Sequence, residues 1–426
     1  MSKKPVTAVI VGAGRRSFTY AQEALKHPDD LKIVGVADVN PKRCKKAAEM
    51  FGFSLDNCFD SAESLAKVPR FADAVINGTM DSQHVETSIP LLEKGYDMLL
   101  EKPFAVSEEE MNLLVDTVKK NGNKVMICHV LRYAPFYAEI KKHILSGDIG
   151  KIINIRTSEH VSYHHASSSY VRGKWANSDI CKTSMLLAKC CHDIDIVMWL
   201  MSETVPQSVS SYGSIIQYKP EAAPENAGTK CLIDCPLVDT CAYSAKRIYL
   251  ENPARWAEYV WNDIDLPNPT DEQKYAYLTS DAEYGKCIYK CNNNVVDHQN
   301  VMINFANGAT ASHSMICGTA RSQRDIEIIG TKGELTGVFE DEKIHLRLIN
   351  PSAPNGYSLE TIDISSLAMG DAHGGGDERL VEDFISLIRG ETPSVSCTKI
   401  EDSVFGHQCV FLADKSRLLG GAPQLF

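Results

Sequence analysis

The residues with the most chemistry to offer fall into three groups. Lys102 stands in "YDMLLEKPFAV", residues 96 to 106, where an apolar, strand-like run ends in Glu101, Lys102 and a proline. Proline donates no backbone hydrogen bond and biases the residue before it toward an extended conformation. A lysine fixed at the mouth of a buried strand can hydrogen-bond a reacting hydroxyl or exchange its proton. The plainer alternative is a surface lysine paired with Glu101. The second group lies in "SMLLAKCCHDIDIVMWLM", residues 184 to 201, apolar nearly all round except for Lys189, His192, Asp193 and Asp195. Helical spacing puts Lys189, His192 and Asp193 on one face. Buried charge is costly unless paired or used, so this stripe is either a site or a Lys189–Asp193 ion pair. The third group is Cys231, Cys235 and Cys241 within eleven residues, followed by Cys287 and Cys291. Cys231, Cys235, Cys241 and Cys287 suit a closed tetrahedral zinc site. An iron–sulfur cluster and four unmetallated thiols remain as alternatives.

Two scaffolds must position these groups, because 426 residues exceed a single core. Over residues 1–130, short β-branched runs such as "VTAVIVG", "LKIVGVAD" and "FADAVING" alternate with helical segments. That alternation predicts a doubly wound parallel sheet with crossover helices. The first strand ends in Gly12-Ala13-Gly14-Arg15-Arg16-Ser17, where two glycines allow a tight turn close to a pyrophosphate at a helix N-terminus. Asp38 ends the second strand, where a carboxylate accepts hydrogen bonds from ribose hydroxyls and repels a 2′-phosphate. NAD is therefore expected over NADP, although Arg15, Arg16 and Arg43 would suit the phosphate. Ser17 takes the place of the fingerprint's third glycine, predicting slightly looser packing of helix on strand. Thr79 and Glu101-Lys102 end later strands and border the nicotinamide end. Residues 131–426 form the second domain, with a cysteine-rich excursion at about 220–295.

The net charge of −11 argues against nucleic acid and anionic membranes as partners. No apolar run approaches the roughly 20 residues that span a bilayer. "MSKKPVTAVIVGAG" reads as a first strand rather than a signal peptide. Fourteen cysteines without a secretion signal imply reduced thiols or metal ligands, hence a cytoplasmic protein.

"GAGRR", "VAD", His84 in "GTMDSQH", "EKPFAV" and "SGDIGKIINI", in this order, resemble the glucose–fructose oxidoreductase and inositol dehydrogenase family over essentially the whole chain. The resemblance implies an N-terminal Rossmann domain and a C-terminal α+β domain with a large, mostly antiparallel open sheet. It implies a sugar, polyol or related hydroxy compound as substrate, tightly held NAD(H) or NADP(H), and a dimer or tetramer. It places Lys102 beside the reacting hydroxyl and His84 and Glu101 near the cofactor. It also makes His192 the catalytic histidine, but the aspartate usual four residues earlier is Ala188 here, with Lys189 beside it.

The expected chemistry is hydride transfer between a carbinol carbon and nicotinamide. His192 exchanges the hydroxyl proton, Lys102 polarises the oxygen, and Lys189 positions the substrate or assists. Asp195 is a candidate to orient the imidazole. "HVSYHHASSSYVRGKW" offers His164, Tyr170, Arg172 and Trp175 for stacking, hydrogen bonds and a bidentate clamp. His373, on a glycine-rich turn, is a further candidate. Two rival readings stay open: a redox glycosidase that oxidises transiently and eliminates, and a cofactor-binding regulator without turnover.

Overall fold

The near-continuous apolar runs become the strands of a buried parallel sheet. They are β1 (Val6–Val11), β2 (Leu31–Ala37), β3 (Cys58–Phe59), β4 (Ala74–Asn77), β5 (Asp97–Leu100) and β6 (Val125–Ile127) in a computed structural model. The model describes residues 4–251, 256–264, 266, 268–367 and 373–426. The strands lie in the order β3-β2-β1-β4-β5-β6, all parallel. Strands covered on both faces lose the polar alternation of half-exposed ones, as the fully buried AVIN of β4 illustrates. The order reverses between β1 and β4, which opens a crevice at the carboxyl ends of the strands.

The first crossover helix is α1 (Arg15–Ala21), and α2 (Pro41–Phe51) follows β2. Proline at its first position and Asn40, which accepts the Lys42 N–H at 3.0 Å, start α2. Ser107 caps α3 (Glu108–Asn121) by accepting the Glu110 N–H at 3.2 Å, and three glutamates fill that first turn.

The second sheet comprises β7 (Ile152–Ser162), β8 (Pro206–Ser214), β9 (His298–Phe305), β10 (Thr310–Thr319), β11 (Gln323–Gly330), β12 (Gly333–Val338), β13 (Lys343–Ile349), β14 (Tyr357–Asp363) and β15 (Gln424–Leu425). Its order is β14-β13-β12-β11-β7-β10-β9-β8-β15, antiparallel except where β7 meets β10. One face, with Ile155, Val301, Met315 and Ile328, packs on α4 (Cys191–Leu200). The opposite face carries exposed Tyr212, Met302 and Ile316.

Near its end the chain returns to the first domain. In α5 (Gly376–Arg389), Leu380, Val381 and Phe384 pack with the β1 core, and the Ile127 N–H donates to Thr398 O at 2.8 Å. Although α5 lies in the second domain's stretch of sequence, its apolar face covers the parallel sheet. The last helix, α6 (Ile400–Leu418), lies between both sheets' cores. Residues of the cysteine-rich excursion make a small separate core around Ile248, Tyr249, Val260 and Trp261. Among the described residues, no helix is long and apolar enough to cross a membrane.

Candidate active site

At the turn after β1, Gly12 adopts φ +74°, and a Cβ there would lie 2.8 Å from the Thr79 backbone. At Gly14, by contrast, a Cβ would meet only Gly78 O, at an ordinary contact distance of 3.9 Å, so the start of α1 is left uncrowded for a pyrophosphate. Ser17 does not loosen the packing as expected. It is fully buried, donates to Gly12 O at 2.7 Å, and sits where a Cβ on Gly78 would fall 2.3 Å from its Oγ. The small residue has moved to the facing strand. Asp38 accepts the Ala13 N–H and the Asn40 N–H, each at 2.7 Å, which leaves lone pairs for ribose hydroxyls. The turn and Asp38 thus fit a dinucleotide. Arg15 is exposed at the start of α1, and Arg43 is half-buried in α2.

Arg16 is not directed at the cofactor. Its Nε donates to Glu101 at 2.7 Å and its Nη2 to Asp377 at 2.6 Å, with Tyr20 alongside. Glu101 also accepts from Tyr20 at 2.7 Å and from the Lys102 N–H at 2.9 Å. His84 is buried and bridges Pro103 O at 2.6 Å and Thr79 O at 3.1 Å. Its work is to tie the loops after β4 and β5 together. The Lys102–Pro103 peptide is cis.

Lys102 Nζ donates to Ala188 O at 2.9 Å. That carbonyl is presented by a π-turn over Leu186–Cys190, directly ahead of α4. Such turns free backbone groups from the regular ladder, so the position expected to hold an aspartate contributes its carbonyl instead. His192 follows in the first turn of α4, with a buried Nδ1 that has no partner. Burial, then the Lys102 charge, hold its pKa well below the ordinary value, so the imidazole is neutral at pH 7 and keeps a ring lone pair.

The π-turn also spoils simple helical spacing. Lys189 and Asp193 do not pair with each other: Lys189 binds Glu159 at 2.9 Å, and Asp193 binds Arg324 at 3.0 Å. Arg324 closes the chain on Glu159 at 2.7 Å. Glu159 and Arg324 face each other on β7 and β11, a pairing that one sequence cannot reveal. Asp195 does not orient His192. It is gripped by Arg132 through bonds of 2.7 and 2.6 Å, because a fully buried carboxylate requires a cation. His129 lies between them, its ring 5.8 Å from that of His192 and its Nε2 3.7 Å from Asp195. Sequence reading missed His129, since a lone histidine after an apolar strand carries no signal.

Comparison with known proteins decides the family. Residues 6–129 match the oxidoreductase family's NAD-binding Rossmann fold, and residues 141–397 match its C-terminal alpha/beta domain. The chain belongs to the Gfo/Idh/MocA oxidoreductase family. It is 26% identical over 399 residues to YteT of Bacillus subtilis strain 168, an oxidoreductase by name, covering 90% of this chain and 89% of that one. A scyllo-inositol 2-dehydrogenase (NAD(+)) of the same strain is 26% identical over 212 residues, about half of each chain (50% and 58%). The fold matches levoglucosan dehydrogenase in complex with NADH and levoglucosan (TM-score 0.70, 19% identity, 99% of both chains). It also matches the WlbA dehydrogenase from Bordetella pertussis in complex with NADH and UDP-GlcNAcA (TM-score 0.69, 16% identity, 100% and 99% covered).

In this oxidoreductase the segment after β7 is more architectural than expected. Tyr170 is buried in a π-turn over Ala166–Val171, and His164 is buried just before it. Trp175 stacks on Tyr170 and donates to Asp81 at 2.8 Å, joining the second domain to the loop after β4. Arg172 is no substrate clamp: it donates to Lys286 O at 2.9 Å and Tyr243 O at 2.8 Å within the cysteine-rich excursion. His373 does approach, its ring 6.5 Å from that of His192, with Nδ1 2.9 Å from Asp377. Cys231, Cys235, Cys241 and Cys287 line one cavity, and Arg172 reaches its edge through Tyr243. No three of their sulfurs lie within 4.8 Å of one another, too open for the expected single zinc ion.

Proposed function

We propose that this chain transfers a hydride between nicotinamide and a hydroxyl-bearing carbon of a sugar, polyol or sugar derivative, with NAD preferred to NADP. The observation that carries the reading is the meeting of Lys102 and His192 across Ala188, one from the mouth of β5 and one from α4. Bound NAD would accept or return the hydride. Gly12, Gly14 and Asp38 would hold it, and Thr79 would border its nicotinamide end. Lys102 would hydrogen-bond the reacting oxygen, and neutral His192 would take the hydroxyl proton. Lys189 and Arg324, held by Glu159 and Asp193, would set the shape of the substrate site. The relatives named for inositol, levoglucosan and a UDP-sugar acid support a carbohydrate substrate class. The exposed sheet face bearing Tyr212, Met302 and Ile316 supports a homodimer or homotetramer.

The test is an ultraviolet scan of the purified protein with NAD and a panel of sugars, polyols and glycosides. Growing absorbance from reduced nicotinamide supports the proposal and names the substrate class. Glycoside cleavage without net reduced cofactor identifies transient oxidation followed by elimination. Tight NAD binding with no turnover across the panel overturns the enzymatic reading.

A further inference from the structure

The cysteine-rich excursion presents a second site that the hydride-transfer chemistry does not use. Cys231 and Cys287 are set side by side by a short backbone ladder: the Cys231 N–H donates to Gly285 O at 3.0 Å, and the Cys287 N–H to Thr229 O at 2.8 Å. Cys235 and Cys241 arrive on successive turns, with the Val238 N–H bonded to Cys235 O and the Cys241 N–H to Leu237 O. All four thiols line one cavity, together with apolar side chains such as Leu237, Val238 and Ile288. No carboxylate or imidazole lines it. A donor set of thiols alone selects a thiophilic metal centre. Cys291 is outside the lining, and its Sγ donates to Cys287 O at 3.2 Å.

Arg172 supplies an independent pointer. It is 3% exposed, one Nη2 contact is Cys231 Sγ at 3.7 Å, its other partners are the neutral carbonyls of Lys286 and Tyr243 and the Tyr249 side chain, and its Nη1 is buried without an acceptor in hydrogen-bond geometry. No carboxylate of the described residues pairs with it. A buried guanidinium without a counter-anion is costly. Thiolates bound to a metal centre would supply the missing negative charge.

Spacing then distinguishes the centres. A tetrahedral zinc ion, with Zn–S near 2.3 Å, draws its sulfurs to within about 3.8 Å of one another. Here no three sulfurs lie within even 4.8 Å. A cubane cluster places one iron between each thiolate and the cluster centre, so its cysteines stand further apart.

We propose that Cys231, Cys235, Cys241 and Cys287 hold a [4Fe–4S] cluster, which braces the excursion against the π-turn ending at Arg172. On insertion each thiol gives its proton to solvent, and its sulfur displaces one labile ligand from one iron of a preassembled [4Fe–4S]²⁺ core. The resulting centre carries two negative charges beside Arg172. The excursion's small core lacks disulfides, and small cores need such a staple.

The whole chain, purified without oxygen and then reconstituted with ferric iron, sulfide and a dithiol reductant that supplies the two electrons the core needs, provides the test. The expected result is about four irons and four sulfides per chain. Cys241→Ser and Cys287→Ser should each lose most of that iron, and Cys291→Ser should retain it. Iron is counted whether or not the protein turns over a sugar, so the result is independent of the hydride-transfer reading. Zinc at one equivalent with no iron overturns the cluster. So does full iron retention in both serine variants, or no bound metal after reconstitution.

Discussion

Two groups of buried polar side chains meet at His192, and they are built on opposite principles. Toward the second sheet, Lys189, Glu159, Arg324 and Asp193 form an open run of alternating charges, each paired with the next. Toward the parallel sheet, His192, His129 and His407 are buried beside one another with nitrogen atoms left unpaired. Paired charges fix geometry, because separating any member exposes the others to a low dielectric. Unpaired neutral imidazoles fix little, but they remain free to take a proton. In the proposed mechanism the first group positions the substrate and His192, at the edge of the second, exchanges the proton, and each role can be broken separately.

The largest effect is expected at His192. His192→Ala should lower kcat roughly a hundred- to ten-thousand-fold while leaving NAD affinity nearly unchanged, as measured by steady-state kinetics and cofactor titration. An unchanged kcat would remove the distinction. Glu159→Gln should act through stability instead. It leaves Arg324 and Lys189 short of a charge, and a buried pair broken on one side costs about 3–5 kcal/mol. Denaturant unfolding reads that loss. A stability loss below about 1 kcal/mol would reclassify the network as solvent-screened.

The neutral histidines predict a specific pH response. Burial, with the neighbouring charges of Arg132 and Lys102, lowers the pKa of His129, and burial with His129 lowers that of His407. His313 is lowered to about 4 by burial, against the opposing pull of Glu159. The unfolded chain binds these protons first, so stability is fully present above about pH 6.5 and falls as pH drops toward each folded-state value. His313 alone should cost about 3 kcal/mol between pH 6.5 and 4. Its slope, about 1.4 kcal/mol per pH unit, should disappear in a folded His313→Gln variant. An unaltered slope would refute the assignment.

What was legible in the sequence divides along the same line as these groups. The parallel sheet, the turn at Gly12 and the placement of Lys102 rest on local signals: apolar runs, glycines beside a strand end, a proline after a lysine. Arg16 was misjudged because its partners Glu101 and Asp377 lie 85 and 361 residues away in sequence. Asp195 and Arg172 misled for the same reason, each appearing free until a distant segment claimed it. The Lys189–Asp193 face failed differently. Helical spacing was assumed through a stretch where a π-turn inserts an extra residue. Long-range pairing and local irregularity are thus where a single sequence falls silent.

The smallest effect tests a charge that stands apart from both groups. Asp38 is held by two backbone N–H groups rather than by a cation, so its negative charge is available to discriminate against a 2′-phosphate. Arg16, the nearest rival for that phosphate on the same turn, is committed to Glu101 and Asp377. Asp38→Asn retains one acceptor oxygen and removes the charge. The preference for NAD over NADP, taken as a ratio of kcat/KM values, should fall about tenfold, equivalent to about 1.4 kcal/mol. The effect should shrink as salt is raised, because the repulsion it removes acts through a partly solvated crevice. A preference that stays the same in Asp38→Asn would move cofactor choice to Arg15 and Arg43, and the next variants would be made there.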